Sequence, residues 1–229
     1  MSIENVFVLG NFYSGTNWMH YLIQQNLRED LKSQTLLHVH RYTDDNNEIQ
    51  KQWKHVAPCD LMLKQQKLLV VYLIRPFEQW AGSMLQRPLV VPVQPHGSAL
   101  KPNGWVETTP TAWNTEPSWL HEVYCRHVSQ IYKMLCEQQK HYIIARTDKL
   151  QSTSGIDLLQ HIHNNTDILE TTDRTIQCWT SCDGPETRKK NWKTVSSFNK
   201  PVYPVKYELT CDVQSILDRL NVGFVTSFN

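Results

Sequence analysis

No apolar run in this chain approaches the ~20 residues that a membrane-spanning helix needs. No leader with a basic start and an apolar stretch precedes the first buried segment, which starts by Val6. A soluble, cytoplasmic protein without a membrane span is therefore expected. Cysteine is sparse. Six residues (Cys59, Cys125, Cys136, Cys178, Cys182 and Cys211) are too few for a disulfide scaffold in 229 residues. Cys178 and Cys182 stand at C-x3-C spacing, but no second Cys or His pair at zinc-finger spacing completes a site. Buried or free thiols, and no metal, are the expectation. Neither sign of charge is in excess: a formal net charge of +1 excludes bulk attraction to nucleic acid or an anionic membrane. Any anion-binding surface must be local. There is no internal repeat and no low-complexity segment.

What remains is an ordinary globular composition, 40% hydrophobic and 20% charged. The length suits one domain spanning residues 1–229. The four apolar residues Val6 to Leu9 predict a short buried strand over about residues 5–9, and a helix is predicted over residues 16–31. Residues 35–40 offer a second strand, and residues 43–52 a loop or weak helix. Residues 68–74 (Leu-Leu-Val-Val-Tyr-Leu-Ile) form the strongest strand signal. A continuous apolar run implies burial on both faces, as in a parallel sheet. Helices are predicted over 77–85, 119–138, 154–163 and 212–220, and a third buried strand over 141–146. Alternating strands and helices predict an α/β fold with a central parallel sheet of four or five strands flanked by helices. Residues 87–117 hold six of the eleven prolines. So long a connection inside a domain reads as a lid or acceptor-binding loop. Trp105, Trp113 and Trp119 either line an acceptor pocket or pack that lid.

The first strand leads into Gly10 and Gly15, and then into the first helix. Strand, glycine-bearing loop and helix is the arrangement that aims backbone N–H groups and a helix N-terminus at an anion. The two glycines have the spacing of a Walker A loop, but Thr16 and Asn17 stand where Lys and Ser or Thr are required. A nucleoside triphosphatase or kinase lacks its phosphate lysine here. A second feature lies downstream. The strand 68–74 ends at Arg75, in the place where open α/β sheets bind ligands. Ser83 follows eight residues on. A guanidinium and a serine hydroxyl together suit a phosphate.

Ser14-Gly15-Thr16-Asn17-Trp18 resembles the phosphosulfate loop of the sulfotransferase family. Arg75 and Ser83, with Pro76, Phe77, Trp80 and Met84 among and after them, are similar to the family's other signature. The match is specific over roughly residues 5–25 and 53–85. Residues 146–150 fit the family's Tyr-Glu-Asp-Leu segment only at Asp148 and Leu150. The resemblance implies a P-loop NTPase-like sulfotransferase architecture. It also implies 3'-phosphoadenosine 5'-phosphosulfate as sulfuryl donor and the 3',5'-bisphosphate as product. The acceptor would be a hydroxyl or amine of a small molecule or glycan. Tyr13, Ser14, Gly15, Thr16, Asn17, Trp18, Arg75 and Ser83 would bind the donor. His55 in Lys54-His55-Val-Ala-Pro58 matches the placement of the family's base, twenty residues before Arg75. It reads either as that base or as a packed loop histidine. His38 and His40 come next as bases, then Asp44 and Asp45, whereas His20 reads as structural. The family usually carries Lys or Arg where this chain has Tyr13, so Lys54 becomes the source of positive charge. If Lys54 does not serve, the resemblance implies a nucleotide-binding protein of weak or absent catalysis. Arg188, Lys189 and Trp192 either partly match a nucleotide-closing segment or belong to a solvated charge run.

Overall fold

The computed structural model describes residues 3–11, 14–31, 39–43, 49–53, 55, 58, 60–86, 117–139, 141–153, 155–174, 178–179, 193–194 and 208–228. Its centre is a four-stranded sheet of strands β1 (Asn5–Gly10), β4 (Leu68–Ile74), β5 (His141–Arg146) and β8 (Phe224–Phe228), in the order β1-β4-β5-β8. The first three run parallel, in registers that set Gly10 beside Leu73 and Ile74 beside Arg146. Their carboxyl ends therefore finish level with one another. Every residue of β4 is buried, as its continuous apolar run requires of a strand covered on both faces.

The fourth strand corrects the expectation of an all-parallel sheet. Helix α7 (Cys211–Arg219) and a 3-10 turn deliver the chain to Gly223 at the carboxyl edge of β5, where the Arg146 N–H donates to the Gly223 carbonyl at 2.9 Å. From that edge the chain can only run back, so β8 pairs antiparallel with β5.

Helices cover both faces. On one side, α2 (Asp60–Leu63), α3 (Phe77–Gln86), α4 (Pro117–Gln138) and α7 pack on Phe7, Leu9, Val70, Tyr72 and Ile74. In α4 the buried positions Leu120, Val123, Tyr124, His127, Val128, Ile131 and Leu135 recur at three- and four-residue spacing, a stripe that faces the sheet. On the other side, α1 (Thr16–Asn26), α5 (Thr147–Ser152) and α6 (Ile156–Asn165) pack on Val6, Val8, Leu69, Val71 and Leu73. Among the described residues no helix is long and apolar enough to cross a membrane.

Two elements lie apart from the sheet. Strands β2 (Val39–Thr43) and β3 (Ile49–Trp53) form an antiparallel hairpin, with Val39 opposite Trp53. Of the expected strand at 35–40, Val39 and His40 open β2 and residues 35–38 lie outside the described residues, while part of the expected loop or weak helix at 43–52 is a strand. Neither Val-His-Arg-Tyr-Thr nor Ile-Gln-Lys-Gln-Trp shows the continuous apolar run of the central strands. A two-residue pair, β6 (Cys178–Trp179) with β7 (Lys193–Thr194), is the second small sheet. Helix α1 also ends earlier than expected, at Asn26. The side-chain amide of Asn26 donates to the Leu22 and Arg174 carbonyls at 2.8 Å each, which ties the helix end to a distant segment. The expected lid (residues 87–117), apart from Pro117 at the start of α4, and the basic stretch 188–193, apart from Lys193 in β7, lie outside the described residues.

Candidate functional site

The carboxyl ends of β1, β4 and β5 each contribute one part of the site. At the end of β1 the chain turns through residues 10–15 into α1. A Cβ at Gly10 would lie 2.4 Å from Ser14 Oγ and 2.7 Å from the Leu73 carbonyl oxygen, so only glycine lets the loop start this close to β4. Ser14 closes the loop. Both its N–H and its hydroxyl donate to the Asn11 carbonyl, at 3.1 and 2.6 Å. Gly15, in the left-handed region at φ 89°, starts the helix. The first turn of α1 holds no acidic residue, and Gly15 has no side chain to cap it. The positive end of the helix dipole therefore faces the loop unneutralised by its own residues.

At the end of β4, Arg75 and Ser83 meet as their spacing implied. The Arg75 guanidinium donates to Ser83 Oγ at 3.1 Å, and Ser83 Oγ donates to the Gln79 carbonyl at 3.1 Å. Both side chains are buried, with Arg75 4% exposed. The aromatic residues between them explain the pattern. Phe77 and Trp80 are fully buried and stack with Tyr124 of α4 at centroid distances of 5.3 and 5.4 Å. The Tyr124 hydroxyl donates to the Arg75 carbonyl at 2.8 Å. Tyr124 thus anchors both the apolar residues of α3 and the backbone of Arg75. Burial pulls the Arg75 pKa down to about 10, against the opposing pull of Asp148.

At the end of β5, Arg146, Thr147 and Asp148 follow one another. Arg146 and Asp148 form a two-pronged ion pair at 2.7 and 3.1 Å, largely shielded from solvent. The pairing raises the Arg146 pKa. Thr147 Oγ1 donates to the Ser14 carbonyl at 2.6 Å, which joins β5 to the loop. Thr147 was absent from the expected site residues. Its signal was positional: it is the first residue after a buried parallel strand, at the sheet end that binds ligands.

His55 sits where the β2–β3 hairpin hands the chain toward α2. It is buried, and its Nδ1 lies 2.6 Å from the Gly10 carbonyl oxygen. A carbonyl only accepts, so Nδ1 is the donor of this bond, and in the neutral ring the lone pair would lie on Nε2. Behind it, the backbone of His55 supports the ring of His127, whose Nδ1 meets the Tyr72 hydroxyl at 3.1 Å. Burial drives the His127 pKa down to about 3 and the Tyr72 pKa well up, so both groups are neutral. A buried polar chain thereby runs from β4 through α4 and His55 to the glycine loop.

The other expected residues divide. Trp18 lies inside the fold. It is fully buried in the core beneath α1 and packs over Gly155, where a Cβ would come 3.2 Å from its ring. Its role there is to seat the helix. Thr16 is buried and Asn17 half-buried in the first turn of α1, beside the loop. The Ser14 hydroxyl proton is committed to Asn11, so this residue's first role is to shape the loop. His20 is buried within α1, as a structural residue would be. Trp119 packs against the core from α4. Tyr13, Lys54, His38, Asp44, Asp45, Trp105 and Trp113 lie outside the described residues, as does the side chain of His40. No protein-family model, no curated protein and no solved structure matches this chain.

Proposed function

We propose that the chain is a sulfotransferase, moving a sulfuryl group from 3'-phosphoadenosine 5'-phosphosulfate to a hydroxyl or amine by in-line displacement. The observation that carries the reading is the buried Arg75–Ser83 pair, 3.1 Å apart, at the sheet end shared with the glycine loop. A desolvated guanidinium is disfavoured in its charged form and gains most from an anion placed against it. The donor's 3'-phosphate is such an anion, and it distinguishes this donor from ATP. The N–H groups of the loop and of the first turn of α1 suit the phosphosulfate. Thr16 and Asn17 stand beside them.

In the reaction the acceptor oxygen or nitrogen bonds to sulfur as the bond from sulfur to the bridging oxygen breaks. The bisphosphate leaves with that oxygen's electron pair. His55 Nε2 takes the acceptor proton, in the tautomer that its bond to Gly10 selects. Lys54 supplies positive charge to the leaving group in place of the basic residue that Tyr13 replaces. No metal is invoked, because this leaving group carries less charge than a triphosphate's. A second reading, a nucleotide-binding protein without turnover, is favoured by Tyr13 alone. A kinase is disfavoured by Thr16 and Asn17 at the Walker positions.

Calorimetric titration with 3'-phosphoadenosine 5'-phosphate, and with ATP plus magnesium, tests the proposal. Tight binding of the bisphosphate with turnover on hydroxyl and amine acceptors supports it. Bisphosphate binding without turnover favours the second reading. Binding of ATP alone ends both.

A further inference from the structure

The loop between β1 and α1 is gripped at both ends by side chains from other elements. His55 donates to the carbonyl of Gly10, and Thr147 donates to the carbonyl of Ser14. The described backbone contains no cis peptide bond. In a trans peptide the C=O and the following N–H point in opposite directions. Fixing the Ser14 carbonyl on Thr147 therefore turns the Gly15 N–H away from Thr147. Fixing the Gly10 carbonyl on His55 does the same for the Asn11 N–H. Gly15's own carbonyl accepts from Met19 at 3.0 Å, which leaves the Thr16 N–H directed off the start of the helix.

Thr147 suits this task in both of its branches. Its hydroxyl bond of 2.6 Å is buried and links positions 133 residues apart. Its methyl group occupies the space next to Gly15, where a Cβ would come within 3.0 Å of Thr147 Cγ2. Rotating the Ser14–Gly15 peptide would break the hydroxyl bond in a place closed to water. The neighbouring residue carries the influence further, since the charge of Asp148 acts on Arg75. The end of β5 thus touches the loop through one residue and the arginine through the next.

We propose that Thr147 is a positioning residue that presets the Ser14–Gly15 peptide, so that the Gly15 N–H meets a bound phosphate without rearrangement. This deepens the nucleotide reading above and rests on it. A loop held in its binding conformation before the ligand arrives loses less freedom on binding.

The test compares T147V, which removes the hydroxyl at nearly constant volume, with T147S, which keeps it. T147A replaces T147V if the latter does not fold. Two readouts are taken: affinity for 3'-phosphoadenosine 5'-phosphate by calorimetry, and the Gly15 amide resonance in ligand-free protein by 1H–15N NMR. T147V should weaken binding about ten-fold, the equivalent of one lost hydrogen bond. It should also move the Gly15 resonance, and T147S should restore both. T147V with wild-type affinity and an unmoved Gly15 resonance overturns the proposal. So does a T147S variant as impaired as T147V. If the wild-type protein binds no bisphosphate, the nucleotide reading falls by itself. The Gly15 resonance then decides whether the clamp stands: moved by T147V and restored by T147S it stands, and otherwise it does not.

Discussion

Replacing Arg75 by methionine should separate the stability of this fold from its affinity for an anion. Free arginine titrates above ~12, and burial brings Arg75 down to about 10. The gap means that burial disfavours the charged form by roughly 3 kcal/mol. Both values lie far above pH 7. The penalty is therefore carried in full at neutral pH, and it fades only above about pH 10. Methionine removes the charge and keeps an apolar stem of similar reach. The change also removes the bond from the charged guanidinium to Ser83 Oγ, a loss of about 1.5–3 kcal/mol. Ser83 retains its own bond to the Gln79 carbonyl. The two effects oppose each other, so the ligand-free variant should be as stable as the wild type or more stable by up to about 1.5 kcal/mol. Affinity for 3'-phosphoadenosine 5'-phosphate should fall by about 1.5–3 kcal/mol, the range for hydrogen bonds to a charged group. Urea unfolding at pH 7 without nucleotide measures the first quantity, and calorimetry the second. A variant that loses more than about 2 kcal/mol of stability while binding the bisphosphate normally would refute the reasoning. Arg75 would then be a structural residue.

Two further substitutions probe the supports of the loop. His127, brought to about 3 by burial, stays neutral in the fold while the unfolded chain gains a proton below pH ~6.5. Its contribution is therefore fully present above that pH and is lost as pH falls toward the folded value, at up to ~1.4 kcal/mol per pH unit. Relative to His127→Gln, the wild type should lose about 3 kcal/mol more between pH 7 and pH 4.5 in urea unfolding, and parallel profiles would show that the ring protonates in place. Gly10→Ala sets a Cβ 2.7 Å from the Leu73 carbonyl oxygen, which as backbone cannot rotate away. It should lower stability by about 1–3 kcal/mol and weaken bisphosphate binding, and an unaltered protein by both measures would disprove the close approach.

The readable parts of this sequence are those where one local rule decides the outcome. Residues 68–74 are apolar throughout, and only a strand covered on both faces buries them all. Arg75 and Ser83 are joined by one helix, so their spacing alone brings them together. Gly10 and Gly15 announce a turn through their own conformational freedom. The missed features depend on contacts between distant segments. The hairpin of β2 and β3 has no apolar face long enough to stand out. The direction of β8 is set by where α7 and Gly223 deliver the chain. Thr147 and His127 are unremarkable as residues, and each matters through a partner far away in sequence: Ser14 for the first, Tyr72 and the backbone of His55 for the second. Trp18 matches a motif by residue type, and its packing against Gly155 is a contact between distant segments that the motif does not show.

In the proposed reaction, binding and catalysis would draw on separate groups. Arg75, Ser83 and the loop peptides are held by the sheet, by α4 and by Thr147. The charge that would assist the leaving group must come from Lys54, because a phenol at Tyr13 offers a hydrogen bond without a charge. Lys54 directly precedes His55, which is itself bound to Gly10 at the start of the loop. In that reaction, one short segment after β3 would carry both the base and the substitute cation. A change there that leaves the Gly10 bond intact should alter turnover more than nucleotide affinity, whereas a change at Arg75 should do the reverse. Opposite responses from these two places are what a transferase requires. A binding protein would answer only to Arg75.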